Sequence, residues 1–312
     1  MAALSALNPP PDLFSDPPPK LHLSPDQLRH CSQALQLLKK KLQNPHIIAQ
    51  EFFSLQGQRI KSLDMMRSCR VALAAVNWKK NRFTDILPFD DSRVVLNSTK
   101  DSRDLGNGYI NASFIKPPAE GLSQYIATQG PLQNTFEDFW EMIIQNRCPA
   151  IVMLTRLVDN YKVVKCDDYF QTDNGTREFG KICLTTKCVR RSAASLVLRD
   201  LEVKYKEPEE PPLSVLHIQY PEWPDHGVPG DTIALREVLK RIYHLPADLG
   251  PIVVHCSAGI GRSVLDLSAL EWFRLRNSFS SAMLLSLMSC RTLYRGPTLN
   301  HGRFNSVTRP YT

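Results

Sequence analysis

The stretch Pro251–Ser263, with the sequence PIVVHCSAGIGRS, places a cysteine between a short apolar run and a glycine-containing loop. Residues 252–254 have the pattern of a buried strand. A cysteine between a strand end and a helix N-terminus lies in a positive field, which favours the thiolate form of Cys256. The backbone N–H groups of residues 257–261 can form an anion-binding nest, and Arg262 can donate to two phosphate oxygens. The stretch therefore predicts a junction of strand, loop and helix that binds phosphate beside a nucleophile.

A buried structural cysteine beside a glycine turn is the alternative interpretation of Cys256. It does not explain why two glycines, an arginine and a hydroxyl follow at fixed spacing. The pattern HCxxGxxR, followed by Ser or Thr, resembles the signature of the Cys-dependent protein-tyrosine phosphatases. The resemblance implies that Cys256 is the nucleophile, that Arg262 binds phosphate and that Ser263 helps to release the thiol. It also implies a supporting role for His255 and a phosphate-binding loop formed by Ser257, Ala258, Gly259, Ile260 and Gly261.

A second motif, WPDHGV, occupies Trp223–Val228. Trp223 and Pro224 would anchor a hinged loop, and Gly227 would allow the loop to move. Asp225 is the predicted general acid, because the oxygen that leaves a phosphate ester needs a proton, and it would then activate the hydrolytic water. The alternative is an aspartate in an ordinary surface turn bounded by proline.

The resemblance extends upstream and covers roughly residues 78–263. It points to the non-receptor, tyrosine-specific branch of the family, in particular its soluble plant type, whose members can inactivate MAP kinases. Phosphotyrosine proteins, MAP kinases among them, are therefore the expected partners. The segments that carry the resemblance are Asn81–Val94, Asn107–Ile115, Tyr125–Trp140 and Lys165–Phe170.

Three residues in this region match functional positions of the family. Tyr109 matches an aromatic that walls a deep phosphotyrosine pocket, and Asn111 matches a residue that holds the substrate backbone. Glu178 matches a glutamate that orients Arg262. Each has a structural alternative: Tyr109 as a core aromatic, Asn111 as a turn former and Glu178 as a solvated strand residue.

Composition restricts the class of partner and the compartment. A net charge of +7 suits an anionic substrate, but it also suits nucleic acids and membrane surfaces. No motif of a nucleic-acid module occurs, and no run of 18 apolar residues predicts a membrane span. The start of the chain lacks the pattern of a signal peptide. We therefore expect a soluble protein, cytoplasmic and also nuclear, that does not bind nucleic acid and does not span a membrane.

Eight cysteines occur without CxxC pairs or metal-ligand spacing. This usage fits free thiols in a reducing compartment, where a catalytic thiolate is open to reversible oxidation. Neither a metal nor a cofactor is expected.

The chain divides into four expected regions: a disordered Pro-rich tail over 1–23, a helical segment over 24–77, an incomplete phosphatase domain over 78–263 and a non-homologous tail over 264–312. Ser24 and Pro25 predict the start of the first helix, and a second helical tract is expected over 47–76. Alternating patterns predict strands over 125–128, 151–154, 180–185, 196–204 and 213–220, and residues 231–244 have helical spacing. The expected fold is α/β (α+β): a highly twisted mixed β-sheet flanked by helices.

The resemblance stops at Val264. In the family a glycine and a long buried helix follow at this point, then FRxQRxGMVQTxEQY, whose glutamines position the hydrolytic water. The segment VLDLSALEWFRLRNSFSS does not match. Synonymous codons exist for which reading from the third base of the Val264 codon gives FRSQRIGMVQTTEQFFF. We therefore expect that the central helix is skipped, that residues 264–312 are read out of frame and that the C-terminal helices are missing.

Two alternatives to a competent enzyme follow from this departure. One is a catalytically impaired phosphotyrosine-binding protein that retains Tyr109, Cys256 and Arg262. The other is an unstable product of altered splicing or gene prediction.

Overall fold

The computed structural model describes residues 12–57, 66–97, 108–115, 124–207, 211–224, 227–246 and 248–263. The predicted tail over 264–312 lies outside these ranges. Within them the chain forms one nine-stranded sheet with helices packed on both faces. The strands are β1 Arg93–Val95, β2 Tyr109–Ile115, β3 Tyr125–Thr128, β4 Ala150–Met153, β5 Gly175–Phe179, β6 Ile182–Arg191, β7 Val197–Tyr205, β8 Leu213–Gln219 and β9 Ile252–His255. The helices are α1 Pro25–Leu42, α2 Pro45–Gly57, α3 Arg70–Leu73, α4 Phe136–Gln145 and α5 Ile233–Tyr243.

The strand order is β1-β2-β3-β9-β4-β8-β7-β6-β5. Strand β9 pairs in parallel with β3 on one side and with β4 on the other, and β4 pairs in parallel with β8. The outer pairs are antiparallel. In the described part of the chain β9 is therefore the strand that joins a three-stranded sheet to a five-stranded one. This confirms the predicted mixed sheet.

Alternate residues of the central strands enter two separate cores, because successive side chains of a strand point to opposite faces. On one face Val253 packs with Trp140 and Phe139 of α4. On the other face Val254 packs with Val238 of α5 and its neighbours. Since both faces are covered, β4 and β9 are buried along their whole length and are apolar except for His255 at the end of β9.

Helix α1 begins where the sequence predicts. The Ser24 Oγ accepts from the Gln27 amide at 3.2 Å, the Ser24 amide donates to Gln27 Oε1 at 2.8 Å, and Pro25 follows at the first helical position. The second predicted tract is helical in α2, over residues 66–68 and in α3, and Cys69 interrupts it; residues 58–65 lie outside the described ranges.

The predicted disordered tail differs from the structure over residues 12–17, which we name the N-terminal strap. Leu13 and Phe14 pack against the core beside α5. The Leu13 and Ser15 carbonyls accept hydrogen bonds from Arg241 Nε and Nη2 at 2.9 and 2.8 Å. Two half-buried apolar side chains and the hydrogen bonds to a buried guanidinium hold the strap, and a Pro-rich composition does not show either.

None of the helices in the described ranges combines the length and apolar character needed to cross a membrane.

Candidate active site

The predicted nucleophile lies where β9 leaves the middle of the sheet. Cys256 follows the last residue of β9 and is 5% exposed. Its Sγ accepts a hydrogen bond from the Gly259 amide at 3.2 Å. Gly259 has a φ of 76°, a left-handed conformation that turns its N–H back toward the sulfur and that glycine adopts without strain. The loop therefore forms part of the predicted anion-binding nest.

The electrostatic surroundings of Cys256 favour the thiolate. Burial would raise the pKa of the thiol, but the hydroxyl and amide of Ser263, the Gly259 amide and the charge of Arg262 together lower that pKa below its usual value. The Ser263 Oγ is buried and meets no protein group with full hydrogen-bond geometry in the described ranges, so its effect on the sulfur is that of a nearby dipole. The net result is a buried cysteine that loses its proton more easily than an exposed one.

The guanidinium of Arg262 is held by the two residues that follow β4. Nη1 donates to the Leu154 carbonyl at 3.2 Å and to Thr155 Oγ1 at 2.9 Å. These contacts fix one edge of the guanidinium close to the loop. Thr155 is thus a supporting residue that the sequence analysis missed, since no local motif marks it.

A second segment supports the loop from the other side. The Gly130 amide donates to the Ser257 carbonyl at 2.8 Å. A β-carbon on Gly130 would lie 2.9 Å from the Cys256 carbonyl oxygen and 3.1 Å from Cys166 Sγ, so a larger residue does not fit. The Arg82 side chain donates to the Gly130 carbonyl at 2.9 Å and pairs with Asp167 at 2.5 Å. Arg82 therefore links the segment before β1 to the phosphate loop.

The structure places Tyr109 and Asn111 inside the domain. Tyr109 has no exposed surface, and its hydroxyl donates to Asn81 Oδ1 at 2.5 Å. The Asn111 amide donates to the same Oδ1 and to the Ile86 carbonyl, both at 2.9 Å. This placement matches the alternative in which Tyr109 is a core aromatic, and it makes both residues supports of the segment around Asn81.

The predicted role of Glu178 is contradicted by the strand order. Glu178 lies on β5, at the far edge of the sheet, and five strand spacings of about 4.8 Å put that strand roughly 24 Å from β9. Its carboxylate is exposed and pairs with Lys206 Nζ at 2.7 Å. Glu178 is therefore a solvated strand residue and cannot orient Arg262.

The WPD segment is described in part. Trp223 is buried, and its Nε1 donates to the Gly227 carbonyl at 3.1 Å, which closes a short loop. Asp225, the predicted general acid, lies outside the described residues, so its role stays a prediction.

The supporting residue His255 belongs to a buried polar cluster beneath the loop. Its Nδ1 is 3.1 Å from the Cys256 carbonyl oxygen, and its Nε2 is 2.7 Å from the Tyr169 hydroxyl. Burial lowers the pKa of His255 to about 4, so the ring is neutral at physiological pH.

Comparison with known proteins agrees with this geometry. A sequence model of the family described as protein-tyrosine phosphatase matches residues 77–275. The protein-tyrosine-phosphatase PTP1 of Arabidopsis thaliana is 60% identical over 248 residues, which are 79% of this chain and 72% of that protein. The tyrosine-protein phosphatase 1 of Caenorhabditis elegans is 33% identical over 237 residues, 74% of this chain and 22% of that protein. The receptor-type tyrosine-protein phosphatase C of Mus musculus is 41% identical over 189 residues, 60% of this chain and 14% of that protein.

Proposed function

Because the chain belongs to the protein-tyrosine phosphatase family, we propose that it hydrolyses phosphotyrosine through a covalent phosphate on Cys256. The observation that carries this assignment is the buried Cys256 Sγ, which accepts a hydrogen bond from the Gly259 amide at 3.2 Å, and these surroundings lower the pKa of the thiol. A thiolate is the nucleophilic form of cysteine. The loop thus supplies the nucleophile and, in Arg262 and its own amides, the groups that hold the phosphate oxygens.

The first step transfers the phosphoryl group. The Cys256 thiolate gives an electron pair to phosphorus, and a sulfur–phosphorus bond forms while the bond from phosphorus to the tyrosine oxygen breaks. Asp225 protonates that oxygen, so that tyrosine leaves as a neutral phenol.

The second step releases the phosphate. The Asp225 carboxylate takes a proton from water, the water oxygen attacks phosphorus, and the sulfur–phosphorus bond breaks. Inorganic phosphate leaves and the Cys256 thiolate is restored. The buried dipole of Ser263 supports this departure, because it stabilises negative charge on the sulfur.

Phe83 is a candidate wall of the phosphotyrosine pocket. Its side chain is 39% exposed, although it is large and apolar. It follows Arg82, whose backbone amide donates to Gln129 Oε1 at 2.8 Å and whose side chain donates to the Gly130 carbonyl beside the phosphate loop. An exposed aromatic ring on a segment fixed in this way is suited to stack on a tyrosine ring.

The role of Phe83 is tested by Phe83→Ala. We expect KM for a phosphotyrosine peptide to rise by roughly tenfold, as for the loss of one aromatic contact of about 1 kcal/mol or slightly more. The matched control is Trp78→Ala, since Trp78 is also exposed. An unchanged KM in Phe83→Ala would remove Phe83 from the pocket.

The covalent mechanism is tested by Cys256→Ser and Asp225→Ala. Cys256→Ser should abolish phosphotyrosine hydrolysis, and Asp225→Ala should lower kcat by roughly 10² to 10⁴, the usual range for a positioned acid. The matched control is Cys31→Ser, because Cys31 lies on α1. Turnover that survives in Cys256→Ser would contradict the mechanism.

We further propose that the substrates of this phosphatase include MAP kinases. This proposal is supported by the resemblance to the soluble plant type and by the share of the Arabidopsis relative that this chain covers. Dephosphorylation of the tyrosine in a doubly phosphorylated activation-loop peptide, measured against a peptide of scrambled sequence, tests it. On this proposal the protein acts in signal transduction, in the cytoplasm and also in the nucleus.

A further inference from the structure

A row of buried hydrogen bonds runs behind the phosphate loop from β7 to β9. Arg199 Nη1 is 3.3 Å from His217 Nδ1, and His217 Nε2 is 2.9 Å from the Tyr169 hydroxyl. The same hydroxyl is 2.7 Å from His255 Nε2, and His255 Nδ1 is 3.1 Å from the Cys256 carbonyl oxygen. Arg199 and His217 stand opposite each other in the β7–β8 register, so the sheet itself aligns the start of the row.

The direction of every bond in this row is determined by its two ends. A carbonyl oxygen only accepts, so His255 Nδ1 carries the proton and Nε2 accepts from Tyr169. The Tyr169 oxygen then accepts from His217 Nε2, which leaves His217 Nδ1 as the acceptor for the guanidinium of Arg199. The assignment requires both rings to be neutral, and burial lowers the pKa of both histidines. All four donors therefore point from Arg199 toward the nucleophile.

A second branch starts at the same nitrogen. Arg199 Nη1 also donates to Gln219 Oε1 at 3.0 Å, and Gln219 Nε2 donates to the Thr155 carbonyl at 3.2 Å. Thr155 Oγ1 in turn accepts from Arg262 at 2.9 Å. The second branch thus ends beside the arginine that is proposed to hold phosphate.

Burial of Arg199 is energetically unfavourable, because its guanidinium carries a charge. Arg199 is 4% exposed, and in the described ranges it forms no ion pair with a carboxylate. Burial lowers the pKa of its guanidinium to about 10, although Tyr169, Asp168 and Asp173 act in the opposite sense. The ring of Phe170, 4.2 Å from the guanidinium carbon, supplies partial compensation. An apolar residue would fill this space at lower cost, which suggests a role other than packing.

We infer that Arg199 is a positioning residue for the phosphatase reaction, because one buried guanidinium orients two hydrogen-bonded branches that end on the nucleophile and beside Arg262. The inference rests on the proposed role of Cys256. In the first branch the bond to the Cys256 carbonyl fixes the peptide plane from which the loop turns, and the aligned donors place their positive ends toward that carbonyl oxygen. In the second branch the Thr155 segment fixes the edge of Arg262. The described ionisable groups that also act on the sulfur or on His255 are Arg262, Cys166 and Arg82.

The experiment measures two properties of the full chain that do not need turnover. One is the pH dependence of iodoacetate alkylation at Cys256, and the other is protection from alkylation by inorganic phosphate. Tyr169→Phe cuts only the first branch and should raise the alkylation pKa by about one unit, as for the loss of one hydrogen bond. Gln219→Met cuts only the second branch and should weaken phosphate protection about tenfold, with a smaller rise of the alkylation pKa than in Tyr169→Phe, because Arg262 keeps its charge near the sulfur.

Arg199→Met should produce both changes, and Arg190→Met on the neighbouring strand is the matched control that should produce neither. If Arg199→Met does not fold, Tyr169→Phe and Gln219→Met decide the question. Variants that lower only the unfolding temperature, with both measured properties unchanged, would overturn the inference and leave the proposed function intact. Equal labelling of all cysteines in the unaltered chain would overturn the proposed function and the inference with it.

Discussion

At the scale of the residue, the two neutral histidines, His217 and His255, make the free energy of unfolding depend on pH. Burial lowers the pKa of His255 to about 4, and burial lowers that of His217 well below 6.5. In the unfolded chain both rings titrate near 6.5, so as pH falls below 6.5 the unfolded state binds protons that the folded state does not. We expect the free energy of unfolding to fall between pH 6.5 and 4, by at most about 3 kcal/mol for His255.

Urea unfolding followed over this pH range measures the effect. His255→Asn should reduce the slope of the free energy of unfolding against pH, whereas His22→Asn, at an exposed position, should keep it. An unchanged slope in His255→Asn would show that the ring is protonated in the folded state.

Some site residues could be predicted from sequence because they are contiguous, and others could not. The loop after Cys256 carries its chemistry in one motif, and its glycine turns follow from local backbone preference. Tyr109 illustrates the limit: β2 is buried on both faces, so its sequence has no alternation that shows which side chains reach the surface. Arg199 and His217 lie in different strands, and only the register brings them together.

At the scale of the element, α5 depends on the N-terminal strap. Arg241 has no exposed surface, and its described acceptors are the strap carbonyls of Leu13 and Ser15 together with Glu237. Removal of residues 1–17 should therefore destabilise the domain by about 3 kcal/mol or more, at about 1.5 to 3 kcal/mol for each hydrogen bond to a charged group.

Chemical unfolding of four proteins measures this dependence: the full chain, the truncated chain, and each with Arg241→Met. The truncation should cost clearly less in the Arg241→Met background, because no buried charge is then left without acceptors. Equal costs in both backgrounds would mean that the strap acts through Leu13 and Phe14 alone.

Elements with strong local signals were predicted well. The capping box at Ser24 fixed the start of α1, and the alternation over residues 125–128 matched β3. The strap was missed because its hydrogen bonds to the rest of the domain join residues 176 to 228 positions apart. The position of Glu178 was missed for the related reason that strand order depends on long-range pairing.

At the scale of the whole molecule, the segment after Ser263 is the part of the chain that we expect to limit turnover most. The resemblance places a buried helix and a glutamine motif there, and we expect residues 264–312 to lack both, although the family match extends to residue 275. A chimera that carries the corresponding segment of the Arabidopsis relative after Ser263 should unfold at a higher temperature and have a higher kcat. Each large buried side chain regained is worth roughly 2 to 5 kcal/mol, against a total of about 5 to 15 kcal/mol for a domain.

Calorimetry and phosphotyrosine peptide hydrolysis, compared between the chimera and the unaltered chain, measure this effect. The control is the same chimera with Cys256→Ser, which should keep the melting temperature and lose the turnover. Comparable melting and kcat in the chimera and the unaltered chain would show that residues 264–312 replace the family helix.

The position of β9 also has a consequence for synthesis on the ribosome. Strand β9 joins two part-sheets, yet eight of the nine described strands precede it in the chain. At about 5 to 20 residues per second, the nascent chain extends from β4 to β9 over roughly 5 to 20 seconds. During that time β3 and β4 each present an open edge to other nascent chains. We therefore expect the nascent chain to need chaperones during translation until β9, the strand that precedes Cys256, has left the ribosome.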